Sequence, residues 1–143
     1  MNMMNVRTIK ELVKPAVRID SQQTVLEAAK LMRETDRGSL VVMKGKIAVG
    51  IITERDFVKR VVAESLPYDT TISQVMSTPL VLVSSSTPLN KAADIMFEHK
   101  IRRLPVVEGG TLVGIVVASD FLSHLRKKTL TEGIWATLTG NPL

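Results

Sequence analysis

Apolar residues fall along this chain in two sets that share one phase. In the first, Val25, Leu26, Ala28, Ala29, Leu31 and Met32 recur at the i, i+3, i+4, i+7 spacing of a helix with one buried face. In the second, Leu89, Ala92, Ala93, Ile95 and Met96 repeat the stripe. Ahead of each helix lies a short extended segment, Val17 to Ile19 and Val81 to Val83. Thr24 with Glu27 predicts a capping box at the first helix start. Thr87 before Pro88 predicts an N-cap followed by a first-turn proline, which puts the second start one residue out of step.

After each helix come two apolar strands around a glycine turn: SLVVM, KGK and IAVGIIT, then LPVV, EGG and TLVGIVV. The later strand of each pair is apolar on both faces, as in strands covered on each side. A second helix is expected from about Glu54 to Ser65 and again from about Ser119 to Lys128, and SLPYDTT, residues 65–71, reads as the linker.

The shared phase is a duplication. Shifting the chain by 64 places aligns residues 17–60 with 81–124 without a gap, and 14 of those 44 pairs are identical. With one gap, TIKELVKPAV from Thr8 pairs with TISQVMSTPLV from Thr71. Each copy then reads β-α-β-β-α in about 60 residues, too few to bury a large core alone. The expected architecture is a mixed α/β (α+β) fold of two repeats, 8–65 and 71–128, with their sheets face to face about a pseudo-twofold axis and a C-terminal tail over 129–143.

The most telling repeated stretch is GIITERDF, ending at Phe57, against GIVVASDF, ending at Phe121. With IRRLPVVEGG from Ile101 and the SQVMSTPLV entry to the second copy, it resembles the cystathionine-β-synthase (CBS) domain pair, or Bateman module, over about residues 8–128. The resemblance implies that the cleft between copies binds an adenosine compound: AMP, ADP, ATP or S-adenosylmethionine. It also implies no enzymatic activity, regulation of a protein partner in trans, and pairing of two modules into a homodimer.

The motif makes physical sense of such a ligand. An Asp early in a helix can accept from both ribose hydroxyls, and a Thr three residues before it turns a hydroxyl and nearby N–H groups toward a phosphate. A glycine ahead of the strand end permits close backbone approach. Thr53 and Asp56 carry the full motif; the second copy keeps Asp120 but has Val117 in place of the threonine, and Ser119 is displaced by two residues. The adenine is expected between apolar side chains of a first strand, either Ala16 and Val17 or Leu80 and Val81.

A second asymmetry points the same way. Before its second strand the later copy has Arg102 and Arg103, where the earlier copy has Gly38 and Ser39. Guanidiniums suit phosphate, so a ligand at Asp56 would meet two of them across the cleft. A ligand at Asp120 would meet only Arg55. One good site around Asp56 and a weaker one around Asp120 are therefore expected.

Plainer roles compete with these. Asp56 and Asp120 could simply cap helices, Thr is common in strands, the arginine pair could be a solvated cluster, Gly50 and Gly114 could serve packing alone, and Phe57 and Phe121 read as core. His99 and His124 have no second ligand one turn away, so no metal site is expected.

Bulk properties change little. Net charge is +5 at pH 7 and the sequence pI is about 9.7, which favours anionic partners. There is no cysteine, and neither a signal-peptide core nor an apolar run near the roughly 20 residues of a membrane helix, so a soluble, cytoplasmic protein is expected. Two other functions fit the charge and the repeat. One is nucleic-acid binding, although the five aromatics, Phe57, Tyr68, Phe97, Phe121 and Trp135, offer no evident stacking platform. The other is a dimerisation module whose clefts hold nothing.

Overall fold

The structure, a computed structural model, describes residues 7–124. The expected tail 129–143 with Trp135, and the end of the last helix, lie outside the described residues.

The first copy contains β1 (Arg18–Asp20), α1 (Val25–Thr35), β2 (Ser39–Lys44), β3 (Ile47–Thr53) and α2, which is α-helical over Glu54–Asp56 and π-helical over Phe57–Val62. The second contains β4 (Val83–Ser84), α3 (Leu89–His99), β5 (Arg103–Glu108), β6 (Thr111–Val117) and α4, helical from 118 to the last described residue. A 3-10 turn leads each copy, Ile9–Leu12 and Ile72–Gln74. Each copy makes one three-stranded sheet, β1-β2-β3 or β4-β5-β6, with the first pair parallel and the second antiparallel.

Equivalent positions behave alike. Both hairpins carry a register shift at the same place, between Val42 and Met43 and between Val106 and Val107. Both stripe helices end on a left-handed residue, Asp36 and Lys100, each at φ 54. They also start in phase. The capping box forms at Thr24, whose hydroxyl accepts from the Glu27 N–H at 3.1 Å while Glu27 Oε1 accepts from the Thr24 N–H at 2.9 Å. In the second copy Pro88, not Thr87, occupies the cap position, without a side-chain cap bond. The expected Thr87 cap gives way because the chain's leading segment docks there. Arg7 O accepts from the Leu89 N–H at 3.1 Å, and Thr87 O accepts from the Ile9 N–H at 2.9 Å.

One proline accounts for the shorter β4. The Val41 N–H donates to Val17 O at 2.9 Å and opens the β1–β2 ladder. Pro105 holds Val41's place in β5 and has no N–H to give, so the strand expected over Val81 to Val83 begins only at Val83.

Alternation along β2 builds two layers of core. Leu40 and Val42 face α1 with Ile19, Val25, Ala28 and Met32, whereas Val41 and Met43 face the other sheet, meeting Leu112 and Ile115. The sheets thus pack face to face, but the later strands β3 and β6, expected to be covered on both faces, are covered only in part: Ile47 and Val113 stay exposed.

The packing units are not the sequence repeats. Ile9, from the start of copy one, is fully buried in the core of copy two, and Ile72 and Val75, from the start of copy two, are buried in the core of copy one. Burial of each isoleucine contributes about 1.5–3 kcal/mol. Backbone bonds accompany the exchange: Ser77 and Ile51 trade N–H and C=O bonds at 2.8 and 3.3 Å, and Lys14 and Ile115 do so at 2.8 and 2.9 Å. Gly50 and Gly114 belong to this crossing. A Cβ on Gly50 would lie 2.6 Å from Met76 Sδ, and one on Gly114 would run into the Lys14 carbonyl. What approaches these glycines closely is the partner copy's leading segment.

Candidate functional site

Thr53 is the last residue of β3 and the N-cap of α2. Its hydroxyl accepts from the Asp56 N–H at 3.3 Å, and Asp56 Oδ2 accepts in return from the Thr53 N–H at 2.9 Å and from its hydroxyl at 3.2 Å. The T-x-x-D spacing closes a capping box. Asp56 is only 5% exposed, and a carboxylate so buried needs full compensation. Oδ1 receives it from two groups: the Ser77 hydroxyl, donating at 2.9 Å, and Arg60 Nε at 3.7 Å, one turn along the helix. Arg60 is itself anchored, donating to the carbonyls of Met76 and Val75 at 3.1 and 3.4 Å.

Beside this box lies a cleft of about 750 Å³ between the copies. From copy one it is lined by Thr53, Glu54, Arg55, Asp56, Lys59 and Arg60, and from copy two by Ser77, Leu80, Val81 and the run from His99 to Arg103. Of the two expected adenine walls, Leu80 and Val81 go with Asp56. Arg103 reaches far into copy one: its Nη2 and Glu54 Oε1 converge over Gly38, 2.8 and 3.0 Å from where a Cβ there would stand. The empty side of Gly38 makes room for that guanidinium.

Four of the expected site residues lie elsewhere. Ser39 is buried in β2, in register with Thr53. Ala16 packs into the layer between the sheets and Val17 against the copy-one core. Asp120 sits on α4, where Val117 has no hydroxyl to close a box, and its Oδ2 instead stands 3.5 Å from Lys14 Nζ, with its side chain 35% exposed. Arg55 is the correction. It was expected to serve Asp120, but it follows Thr53 by two residues at the head of α2 and lines the Asp56 cleft.

Sequence reasoning missed Ser77, Lys59, Arg60, His99 and Lys100. Lys59 and Arg60 could have been found by counting one helical turn from Asp56. Ser77 had a subtler signal: the gapped alignment sets it opposite Lys14, and the two residues stand against Asp56 and Asp120 at equivalent places. Among the described residues no group of three or more His, Asp or Glu side chains could hold a metal ion.

The same two-copy pattern is found in known proteins. The CBS domain profile matches residues 6–63 and again 72–127. This chain belongs to the CBS domain family. It is 38% identical over 102 residues to the CBS domain-containing protein YhcV of Bacillus subtilis, a match covering 71% of this chain and 73% of that one. Among solved structures it resembles an uncharacterized conserved protein from Pyrococcus horikoshii, with TM-score 0.79, 34% identity, and coverage of 87% of this chain and 96% of that one. It also resembles the CBS domain pair of protein MJ0100 in complex with 5′-methylthioadenosine and S-adenosyl-L-methionine, with TM-score 0.78 and 26% identity over 86% of this chain and 98% of that one. CBS pair modules are regulatory. No helix among the described residues is long and apolar enough to cross a membrane.

Proposed function

We propose that this CBS pair is a regulatory sensor of an adenine nucleotide, bound in the Asp56 cleft, and that it passes its ligand state to a partner protein in trans. The observation that carries the reading is the convergence on one cleft of Thr53 and Asp56 from one copy with Arg102, Arg103, Leu80 and Val81 from the other. These supply a ribose acceptor, phosphate donors and an apolar wall, in a volume within the usual 300–1,000 Å³ range for small-molecule sites. The adenosyl ligands of the MJ0100 pair support the same ligand class. A ribose hydroxyl donating to Asp56 Oδ1 would compete with the Ser77 hydroxyl that now donates there.

A homodimer fits the same reading. Val58 on α2 and Leu122 on α4 hold equivalent positions in the two copies, and both are exposed, at 63% and 56%. Two copies of the module joined through these helices would cover them.

Calorimetric titration with AMP, ADP, ATP and S-adenosylmethionine tests the sensor. One ligand should bind per chain, and at about 100 times its Kd it should stabilise the fold by about 2.7 kcal/mol. Asp56→Asn and Arg102→Ala should each weaken binding by about tenfold or more, with Asp120→Asn within about twofold of wild type. Loss with Asp120→Asn instead would move the site to the other cleft. A wild-type chain that binds none of the four is not an adenosine sensor.

A further inference from the structure

The charges of the Asp56 cleft bear on how many phosphates its nucleotide carries. Six cationic side chains line it, Arg55, Lys59, Arg60, Lys100, Arg102 and Arg103, against the two carboxylates of Glu54 and Asp56, an excess of four. One of the six is paired locally. Arg60 is held on Asp56 and on two backbone carbonyls, whereas Arg103 shares the space over Gly38 with Glu54 without forming an ion pair. The other five, Arg55, Lys59, Lys100, Arg102 and Arg103, take no part in any ion pair found among the described residues.

Five cations without an ion pair among the described residues, set around one concavity, repel one another and focus a positive potential into it. A phosphate monoester carries about two negative charges at neutral pH, so a nucleoside monophosphate balances only about half of the excess. The cations also come from both walls. Arg55 and Lys59 stand one turn apart on α2, and Lys100 and Arg102 lie on the segment between α3 and β5 of the other copy. Lys59 and Lys100 are the members furthest along the chain from Thr53 and from the Arg102–Arg103 pair. Their long, flexible stems suit a chain of phosphates better than one fixed oxyanion.

We propose, resting on the nucleotide reading above, that the cleft selects a nucleoside polyphosphate over the monophosphate, and that Lys59 and Lys100, one from each copy, determine that selection by holding the distal phosphates. Neither lysine side chain is part of a capping box or of the core, and the C-cap role of Lys100 on α3 is made by its backbone, which glutamine keeps.

The test is a set of calorimetric titrations with AMP, ADP and ATP on the wild-type chain and on the double variant Lys59→Gln/Lys100→Gln, with melting scans to show both are folded. In the wild type, affinity should rise from AMP to ATP by about tenfold or more; in the variant the ATP affinity should fall by about tenfold while AMP stays within about twofold. Each single variant should lose part of the ATP preference. AMP binding as tightly as ATP in the wild type overturns the proposal, as does a variant that weakens all three nucleotides alike. In both those cases the nucleotide reading survives. A wild-type chain that binds no nucleotide overturns both.

Discussion

The Ser77 hydroxyl donates to Oδ1 of Asp56 at 2.9 Å across the boundary between the two repeats. Asp56 is placed by its own copy through the Thr53 box, but its Oδ1 accepts its hydrogen bond from a residue at the start of the other, with Arg60 beside it. The bond exists because the leading segments are exchanged, so it ties the cleft to the device that holds the copies together.

Ser77→Ala removes that donor from a buried carboxylate. Hydrogen bonds to charged groups contribute about 1.5–3 kcal/mol, and Arg60 at 3.7 Å offsets part of the loss. A destabilisation of about 1–2 kcal/mol is expected in urea unfolding with the m-value unchanged. No change in midpoint would mean that water replaces the hydroxyl at no cost.

The two crossing glycines should differ. At Gly50 a new Cβ meets first the thioether of Met76, a flexible side chain; at Gly114 it meets the backbone carbonyl of Lys14. Overpacking typically costs about 1–3 kcal/mol, so Gly114→Ala should fall at the upper end and Gly50→Ala at the lower. Thermal melts of the two variants, side by side, check the order.

Lys14 and Asp120 form a pair at 3.5 Å with both side chains more than a third exposed. Solvent-screened pairs contribute about 0–1 kcal/mol. Lys14→Met and Asp120→Asn should therefore each move stability by less than about 1 kcal/mol, and raised salt should erase the difference. A larger loss would mean that Lys14 holds the leading segment through its charge.

Glu27 carries a pH dependence. Its bonds from the backbone and hydroxyl of Thr24 hold its carboxyl below the ordinary glutamate value. A lowered folded-state pKa stabilises at pH above the unfolded value, and the contribution disappears as pH falls through the folded value. Glu27→Gln keeps the box but removes this titration, so the acid limb of the variant's stability profile should be flatter than the wild type's. Parallel acid limbs would contradict the assignment.

The proposed homodimer rests on the exposure of Val58 and Leu122. If these equivalent exposed positions meet a second module, Val58→Lys with Leu122→Lys should convert a dimer to a monomer in sedimentation equilibrium, with the melting temperature of the monomer little changed. A wild-type chain that is monomeric at high concentration would leave the two side chains as ordinary surface.

Much of the architecture was legible because it depends on local rules written twice. The helix stripe, the glycine turns and the T-x-x-D spacing act over a few residues, and the duplication supplied a second reading of each. That is why the capping box at Thr24 and the paired hairpins could be stated from residue order alone. Thr87 was misread because propensity at a helix start yields to whatever docks against it, here Arg7 and Ile9 from the far end of the chain.

The sequence by itself determined that two similar units exist, where their strands and stripe helices lie, and that Thr53 and Asp56 differ in kind from Val117 and Asp120. Tertiary structure alone decided that each unit takes its leading segment from the other, that Ser77 faces Asp56 while Lys14 faces Asp120, and that six cations surround one cleft. The physical reason is range. Backbone periodicity and capping are satisfied within a turn or a hairpin, whereas a buried carboxylate or an apolar face is satisfied by whichever group the packing brings to it, and residue order does not state that distance.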